Sequence, residues 1–169
     1  FVTSPDMGRR RMIERAKLLY NEKTQKYVVW CHWESRNYAA SEAACFQSDS
    51  IDGNYQLVWS GRPMGIKSRD CNVFVDDDGT AYFISTTEEN TNLGLFRLSD
   101  DYLTPVSHTP LFEGERREAP AIVRVPAAVK GERDLYFMFN SACSGWAPNQ
   151  CKMSYTHDLT TGWQPLRNI

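Results

Sequence analysis

The stretch NVFVDDDGTAYFIS, residues 72–85, places two short apolar runs on either side of an acidic turn. The runs are rich in Val, Phe, Tyr and Ile, which favour β-strands, and the cluster DDDG is typical of a turn. Similar runs continue along the chain, and helical periodicity is nearly absent. The one weak helix candidate, SEAACFQS (residues 41–48), is also better explained as a strand. The sequence therefore predicts an all-β protein.

The strand signals recur as a unit of four. Tyr-led strands begin at Tyr27, Tyr82 and Tyr136, at spacings of 55 and 54 residues (82 − 27 and 136 − 82). A period near 50 with four strands is the signature of a β-propeller blade, whereas a β-sandwich, the alternative, does not normally repeat a whole four-stranded unit. We expect one partial propeller domain, residues 1–169, with blade units at about residues 12–62, 63–115 and 116–169.

The composition is that of a folded and nearly neutral chain. Its 169 residues are 41% hydrophobic and 12% aromatic, enough for the core of one domain, and the formal net charge is −2. Because acids and bases nearly cancel, we expect no nucleic-acid surface and no basic membrane patch. A neutral partner fits this charge balance better. No apolar run reaches the length of a membrane span.

Three blades are too few for a closed propeller. Propellers close with about four to eight blades, so the chain is expected to be part of a larger ring. Its first residues, FVTSPDMGRRRM, lack both an initiator Met and the apolar core of a signal peptide. This start indicates a processed or excised chain.

The five cysteines include no CxxC pair, and with only three histidines they argue against a structural zinc site. Cys143 and Cys151 flank a loop that contains Gly and Pro. Two alternatives remain open for them, a disulfide as in secreted proteins or two free thiols in the core. His32 is a candidate for the central channel, although a lone histidine is more often a satisfied core group. Four tryptophans are expected to pack between blades: Trp30, Trp33, Trp59 and Trp163.

An acidic residue stands near the start of each unit's first strand. These residues are Glu14, Asp70 and Glu118, at separations of 56 and 48 residues (70 − 14 and 118 − 70). Each has an arginine beside it in the sequence, so a solvated turn or an inter-blade ion pair is the alternative for any one of them. Because the first strand of a blade lines the channel, we expect the three carboxylates to converge on one pocket. Clustered carboxylates raise one another's pKa, which lets one donate a proton while another stays ionised, as glycosidic cleavage requires.

Several motifs together resemble glycoside hydrolase family 43 and, within it, the exo-β-1,3-galactanase (galactan 1,3-β-galactosidase) group. They are IERAK (residues 13–17), SRD (68–70), DDDGTAYFI (76–84), REAP (117–120) and SGWAPN (144–149), and the resemblance runs from Met12 to Trp163. It implies a five-bladed propeller, an inverting mechanism and release of galactose from the end of β-1,3-linked galactan. The family also contains arabinofuranosidases and xylosidases on the same scaffold.

The resemblance also implies roles for individual residues. Glu118 would be the general acid, Asp70 would orient it and keep its pKa raised, and Glu14 would position the substrate or act as an auxiliary acid or base. Tyr38 would line the sugar site, although it could also be a plain hairpin residue. Three residues would form the pocket rim, with a core position as the alternative for the tryptophan: Ser144, Gly145 and Trp146.

The resemblance leaves the base outside the chain. The wider family uses an Asp on the first blade that is missing here, and the galactanase group uses a polar residue that by spacing would follow Ile169. Inactivity of the chain alone is therefore one open alternative. The expected partner is an oligo- or polysaccharide such as β-1,3-galactan or the side chains of arabinogalactan, and the expected location is extracellular. No cofactor is required, and calcium near the axis is compatible with the family. A non-catalytic carbohydrate-binding propeller and a protein-interaction propeller are the alternatives from other classes.

Overall fold

The computed structural model describes residues 2–3 and 11–169, which form three β-sheets in chain order. The first sheet contains β1 (Val2–Thr3), β2 (Met12–Asn21), β3 (Lys26–Glu34), β4 (Glu42–Ser48) and β5 (Tyr55–Gly61). The second contains β6 (Ser68–Val75), β7 (Ala81–Thr87), β8 (Asn92–Leu98) and β9 (Pro105–Leu111). The third contains β10 (Arg117–Val125), β11 (Leu135–Ala142), β12 (Lys152–Thr156) and β13 (Arg167–Asn168). Within the described residues, no helix has the length and apolar character needed to cross a membrane.

Each sheet is an antiparallel meander of four consecutive strands, which confirms the predicted all-β blade architecture. The tyrosines that defined the repeat, Tyr27, Tyr82 and Tyr136, are the second residues of β3, β7 and β11, respectively. The run proposed as a strand rather than a helix is β4. One addition was not predicted, because β1 pairs in parallel with β5 and gives the first sheet a fifth strand.

The sequence signals missed β9 as a distinct strand. This strand contains Pro105 and Pro110 and lies at the outer edge of its sheet, after β8. Proline lacks a backbone N–H and is tolerated in a sheet mainly at an edge, where one side of the strand needs no ladder partner. The prolines that hid this strand from the sequence pattern therefore fit its position in the blade.

The middle sheet is buried on both faces. Phe83 and Phe96 pack towards the first sheet, beside Trp30 and Val28. The alternate residues Ile84 and Leu95 pack towards the third sheet in a separate cluster that includes Met138. Successive side chains of a strand point to opposite faces. Apolar residues therefore stand next to each other in β7 and β8, as in the pairs Phe83–Ile84 and Leu95–Phe96, because the two faces belong to two cores.

Of the four tryptophans expected to pack between blades, Trp30 does so most clearly. Trp30 is fully buried, lies 4.9 Å from Phe83 between ring centroids, and donates its indole N–H to the carbonyl of Tyr102 at 2.8 Å. This bond ties the first sheet to the second. Trp33 packs on Phe46 and Trp59 packs on Trp30, both within the first sheet. Trp163, after β12, packs on Phe112, which follows β9 of the second sheet.

All five cysteines lie in the described part of the chain and are free thiols. Cys143 and Cys151 are half-buried, and Cys151 donates to the carbonyl of Asn140 at 3.3 Å. Of the two alternatives left by the sequence, the structure has the free thiols.

The contact between the second and third sheets can be tested by truncating one side chain. Leu95→Ala is expected to lower the free energy of unfolding by about 2–5 kcal/mol, the usual cost of a cavity in a closely packed core. Leu95 is only 1% exposed, whereas Val58 on an outer strand is 47% exposed, which makes Val58→Ala the matched control. Denaturant unfolding measures both, and an equal effect of the two variants would contradict this account of the core.

Candidate active site

A β-bulge interrupts the first strand of every sheet near one end. In β2, Arg15 and Ala16 together oppose one residue of β3, because Glu14 pairs with His32 and Lys17 with Trp30. The same two-against-one arrangement follows Ser68 in β6 and Glu118 in β10. A bulge bends its strand and re-aims the side chains around it. These three neighbouring strands therefore direct side chains out of the sheets at the same end.

The bulges correct the alignment of the three acids between blades that the sequence suggested. Glu14 and Glu118 each precede their bulge directly, but the residue at the equivalent place in β6 is Ser68. Asp70 lies two residues further on, inside the bulge. The three acids are thus not at equivalent positions, although they do meet. Their shared cleft is lined by Glu14, Arg15, Tyr38, Asp70, Glu118, Gly145 and Trp146.

Glu118 lies in the cleft with a perturbed carboxyl group. Burial and the negative charge of Asp70 raise its pKa, and this increase exceeds the opposing effects of the Cys143 thiol, Arg15 and Arg69. The side-chain amide of Asn90 donates to Glu118 Oε1 at 2.5 Å. A carboxyl group that holds its proton to higher pH than an ordinary glutamate is suited to proton donation.

The arginines do not pair with the acids beside them in sequence. Arg15 Nη2 instead bonds Asp70 Oδ2 on the neighbouring sheet at 2.8 Å. Arg69 turns to Glu89, and Arg117 points back into its own blade, where its Nε donates to Asn140 Oδ1 at 2.7 Å. Neighbouring residues of a strand point to opposite faces, so sequence adjacency did not predict these contacts. The Arg15 bond is an ion pair between blades, which is the alternative that the sequence left open for single acids.

One oxygen of Glu14 accepts a hydrogen bond, and the other lies near a buried histidine. The hydroxyl of Tyr38 donates to Oε1 at 2.6 Å, and His32 Nδ1 lies 3.2 Å from Oε2. The hydrogen bond to Glu14 is the main cause that raises the pKa of Tyr38. Tyr38 therefore belongs to the cleft and is not only a hairpin residue, and His32 is 2% exposed directly beneath the cleft.

Two of the three predicted rim residues line the cleft, and the third does not. Trp146 is fully exposed beside the cleft, so it is not a core residue, and Gly145 lines the cleft with it. Gly145 has a φ of 59°, a left-handed conformation that glycine adopts without steric cost. Ser144 is not among the lining residues, because its Oγ donates to the carbonyl of Ala147 at 2.7 Å and closes the turn.

Two cleft residues and the histidine beneath them approach the spacing of a metal site. One donor atom each from Glu14, His32 and Asp70 lies within 4.8 Å of the others. The donors are already engaged, however, because the Arg15 guanidinium binds Asp70 and the Tyr38 hydroxyl binds Glu14. Ca²⁺ takes six to eight oxygen ligands and does not favour imidazole nitrogen. This donor set does not fit a calcium ion.

Three residues around the acids were not predicted from the sequence as part of the site. Asn90, in the loop after β7, and Cys143, at the end of β11, both contact Glu118. Glu34, at the end of β3, is completely buried beneath Glu14. A carboxylate at the end of the apolar run KYVVWCHWE was a signal that could have identified Glu34, whereas Asn90 and Cys143 lie in loops without any such pattern.

The comparisons with solved structures agree with this geometry. The chain is 41% identical to a family 43 β-1,3-galactosidase over 91% of this chain and 32% of that one, with a TM-score of 0.84. It is 40% identical to an exo-β-1,3-galactanase from Clostridium thermocellum over 98% of this chain and 37% of that one, with a TM-score of 0.88. It is 32% identical to the exo-β-1,3-galactanase from Phanerochaete chrysosporium, described with β-1,3-galactotriose, over 94% of this chain and 36% of that one, with a TM-score of 0.85. The chain thus spans about a third of these relatives.

Propeller blades whose inner strands gather carboxylates in one cleft define the class of propeller-type glycoside hydrolases. Within that class, the chain belongs to glycoside hydrolase family 43. An α-L-arabinofuranosidase from Clostridium thermocellum shares only the fold, at 18% identity and a TM-score of 0.61. A scan of family models and a search of curated proteins both give no match.

Proposed function

We propose that this chain supplies the acid-bearing blades of an exo-acting glycoside hydrolase that releases galactose from the end of β-1,3-linked galactan. The observation that carries the proposal is Glu118, whose pKa is raised by burial and by Asp70 in a cleft beside the exposed Trp146. The galactanase and galactosidase names of the related structures support this substrate over the pentose-based substrates of the wider family.

In the proposed reaction, the carboxyl group of Glu118 transfers its proton to the glycosidic oxygen as the bond from that oxygen to C1 breaks. Water attacks C1 from the opposite face and gives up its proton to a base, so the released galactose has an inverted anomeric configuration. Asp70 keeps Glu118 protonated, and the Arg15 ion pair fixes Asp70 in place.

The remaining cleft residues are proposed to bind the terminal sugar. Glu14 accepts a hydrogen bond from the Tyr38 hydroxyl and has further lone pairs for sugar hydroxyls. Trp146 offers an aromatic face on which a sugar ring can stack. Neither the proton transfer nor this binding requires a cofactor. Because a polysaccharide does not cross a membrane, we also propose that the enzyme meets arabinogalactan-type polymers outside the cell.

The test is product analysis with the full-length protein. On β-1,3-galactan we expect galactose as the only early product, with an inverted anomer in ¹H NMR, and no release of pentose from arabinan or xylan. Release of arabinose or xylose would instead indicate an arabinofuranosidase or a xylosidase, the other activities of the wider family. Calorimetric binding of galactose without turnover of any polymer or aryl glycoside would contradict the enzyme and identify a carbohydrate-binding propeller.

A further inference from the structure

Glu34 is a buried carboxylate that the proposed reaction does not use. It is 0% exposed, and burial of a charge is costly unless hydrogen bonds compensate. Burial by itself would raise its pKa, but bonds from the backbone N–H of Ser35, the His32 ring and the backbone N–H groups of Ala40 and Ser41 outweigh burial and lower it. Glu34 is therefore an ionised group built into the blade, and its contacts lead to Glu14 by two routes.

The first route passes through His32. Glu34 Oε2 lies 3.1 Å from His32 Nε2, and the opposite nitrogen, Nδ1, lies 3.2 Å from Glu14 Oε2. A carboxylate that accepts the proton of one ring nitrogen fixes the ring's orientation and directs the other nitrogen outward. The contact of Nδ1 with Glu14 is one of proximity, because Nδ1 makes no hydrogen bond. The imidazole thus lies between the buried carboxylate and the half-buried one.

The second route passes through the loop of residues 35–41, which carries Tyr38. Glu34 Oε1 accepts the N–H of Ser35 at 2.8 Å and that of Ala40 at 2.7 Å, and Oε2 accepts the N–H of Ser41 at 3.0 Å. Both ends of the loop are therefore tied to one side chain. Tyr38, at the tip, has a φ of 54° and reaches the other oxygen of Glu14.

We propose that Glu34 is a positioning residue for Glu14, because one buried carboxylate contacts both the loop whose Tyr38 bonds one oxygen of Glu14 and the His32 ring that lies against the other. The inference rests on the proposed function, in which Glu14 binds the sugar. It adds the residue that keeps the Glu14 side chain in position for binding. Preorganised binding groups lose less freedom when a ligand arrives, so the arrangement serves affinity for the terminal sugar.

The other groups near His32 do not replace Glu34. Asp70 approaches from β6, where Arg15 binds it, and Arg69 contacts the carbonyl of Tyr38 at 3.0 Å. Cys71, also on β6, has a pKa raised by burial above that of a free thiol, so it carries no charge there. Among the described residues, Glu34 alone bonds both the imidazole and the loop.

A double-mutant cycle tests the proposal on the full-length enzyme. Glu14→Gln is expected to raise KM about ten- to a hundredfold, the range for one hydrogen bond to a charged group. Glu34→Gln is expected to raise KM in the same direction with a smaller change in kcat. In the Glu14→Gln background, Glu34→Gln should add little, because residues that act through each other are not additive. An equal increase in KM in both backgrounds would show a general structural effect and overturn the proposal.

The matched control is Glu42→Gln. Glu42 lies in the same sheet and pairs with Arg11 at 3.3 Å, without contact to the cleft, so its loss should leave KM unchanged. If Glu34→Gln does not fold, His32→Phe/Tyr38→Phe replaces it and keeps Glu34. That double variant should then reproduce the KM of Glu14→Gln, and a wild-type KM would overturn the proposal.

Amide hydrogen exchange separates this inference from the proposed function, because it needs no activity. Glu34→Gln should speed exchange in the loop of residues 35–41, above all at Ala40 and Ser41, and Glu42→Gln should not. Unchanged exchange in that loop would overturn the positioning role even in an active enzyme. Absence of turnover in the wild type would instead remove the proposed function and leave the loop exchange to decide the role of Glu34.

Discussion

Replacing Glu118 by glutamine is expected to lower kcat on β-1,3-galactan by about 10²- to 10⁴-fold, the contribution of a positioned general acid. Glutamine has nearly the same shape and can keep the contact to Asn90, but it has no carboxyl proton to transfer. KM should change little, since the loss falls on the transition state. Steady-state kinetics on galacto-oligosaccharides, with circular dichroism as a check on folding, measure the effect.

The leaving group makes this prediction specific to proton donation. A galactoside with a highly acidic phenol as leaving group needs little protonation, so Glu118→Gln should retain far more of its activity on that substrate than on galactan. Glu115→Gln is the control, because Glu115 lies three residues earlier on the surface, 3.4 Å from Lys152. An equal loss on both substrates would contradict the general-acid role, and full activity on galactan would refute the assignment of Glu118 altogether.

Replacing Asp70 by asparagine is expected to move the basic limb of the pH profile of kcat/KM to lower pH. That limb reports loss of the acid's proton, and the Asp70 charge is one cause, after burial, of the raised pKa of Glu118. Without that charge, and with the Arg15 guanidinium freed beside it, Glu118 ionises at lower pH. Above its pKa, each unit of decrease lowers the protonated fraction about tenfold, so the loss of activity should grow with pH.

The measurement is a pH series of kcat/KM for wild type and Asp70→Asn. Asp49→Asn serves as the control, because Asp49 is an exposed carboxylate that pairs with Lys26 away from the cleft. Loss of activity by the same factor at every pH would mean that Asp70 only orients Glu118 and does not act through its charge.

The blade repeat could be predicted because similar residues recur at a regular spacing along the sequence. The Tyr-led strands fixed the second strand of each sheet, and their spacing gave three units. The inner-strand acids could be predicted as a converging set, because channel-lining strands place their ends around one axis. The short motifs together then identified the family, whereas the general-acid role of Glu118 stays a prediction.

The contacts within the cleft could not be predicted, for physical reasons. A bulge shifts the alternation of a strand by one residue. Pairing with the next strand decides whether an acid lies before the bulge, as Glu14 and Glu118 do, or inside it, as Asp70 does. The partners of Arg15 and Arg69 lie 55 and 20 residues away, on other strands and loops. Glu34 was overlooked because a charge at a strand end usually indicates solvent, and here the following loop folds over it.

The bulges also bear on how such a site can change over evolutionary time. Each one adds a residue to an inner strand without a partner opposite, so side chains on its two sides follow separate alternations. Side chains at the cleft can therefore vary without a shift in the alternation that packs the rest of the strand between blades. Three blades that share one architecture can in this way carry unlike residues, Glu14, Ser68 and Glu118, at one structural position. A repeated scaffold is thereby free to acquire new specificities one blade at a time.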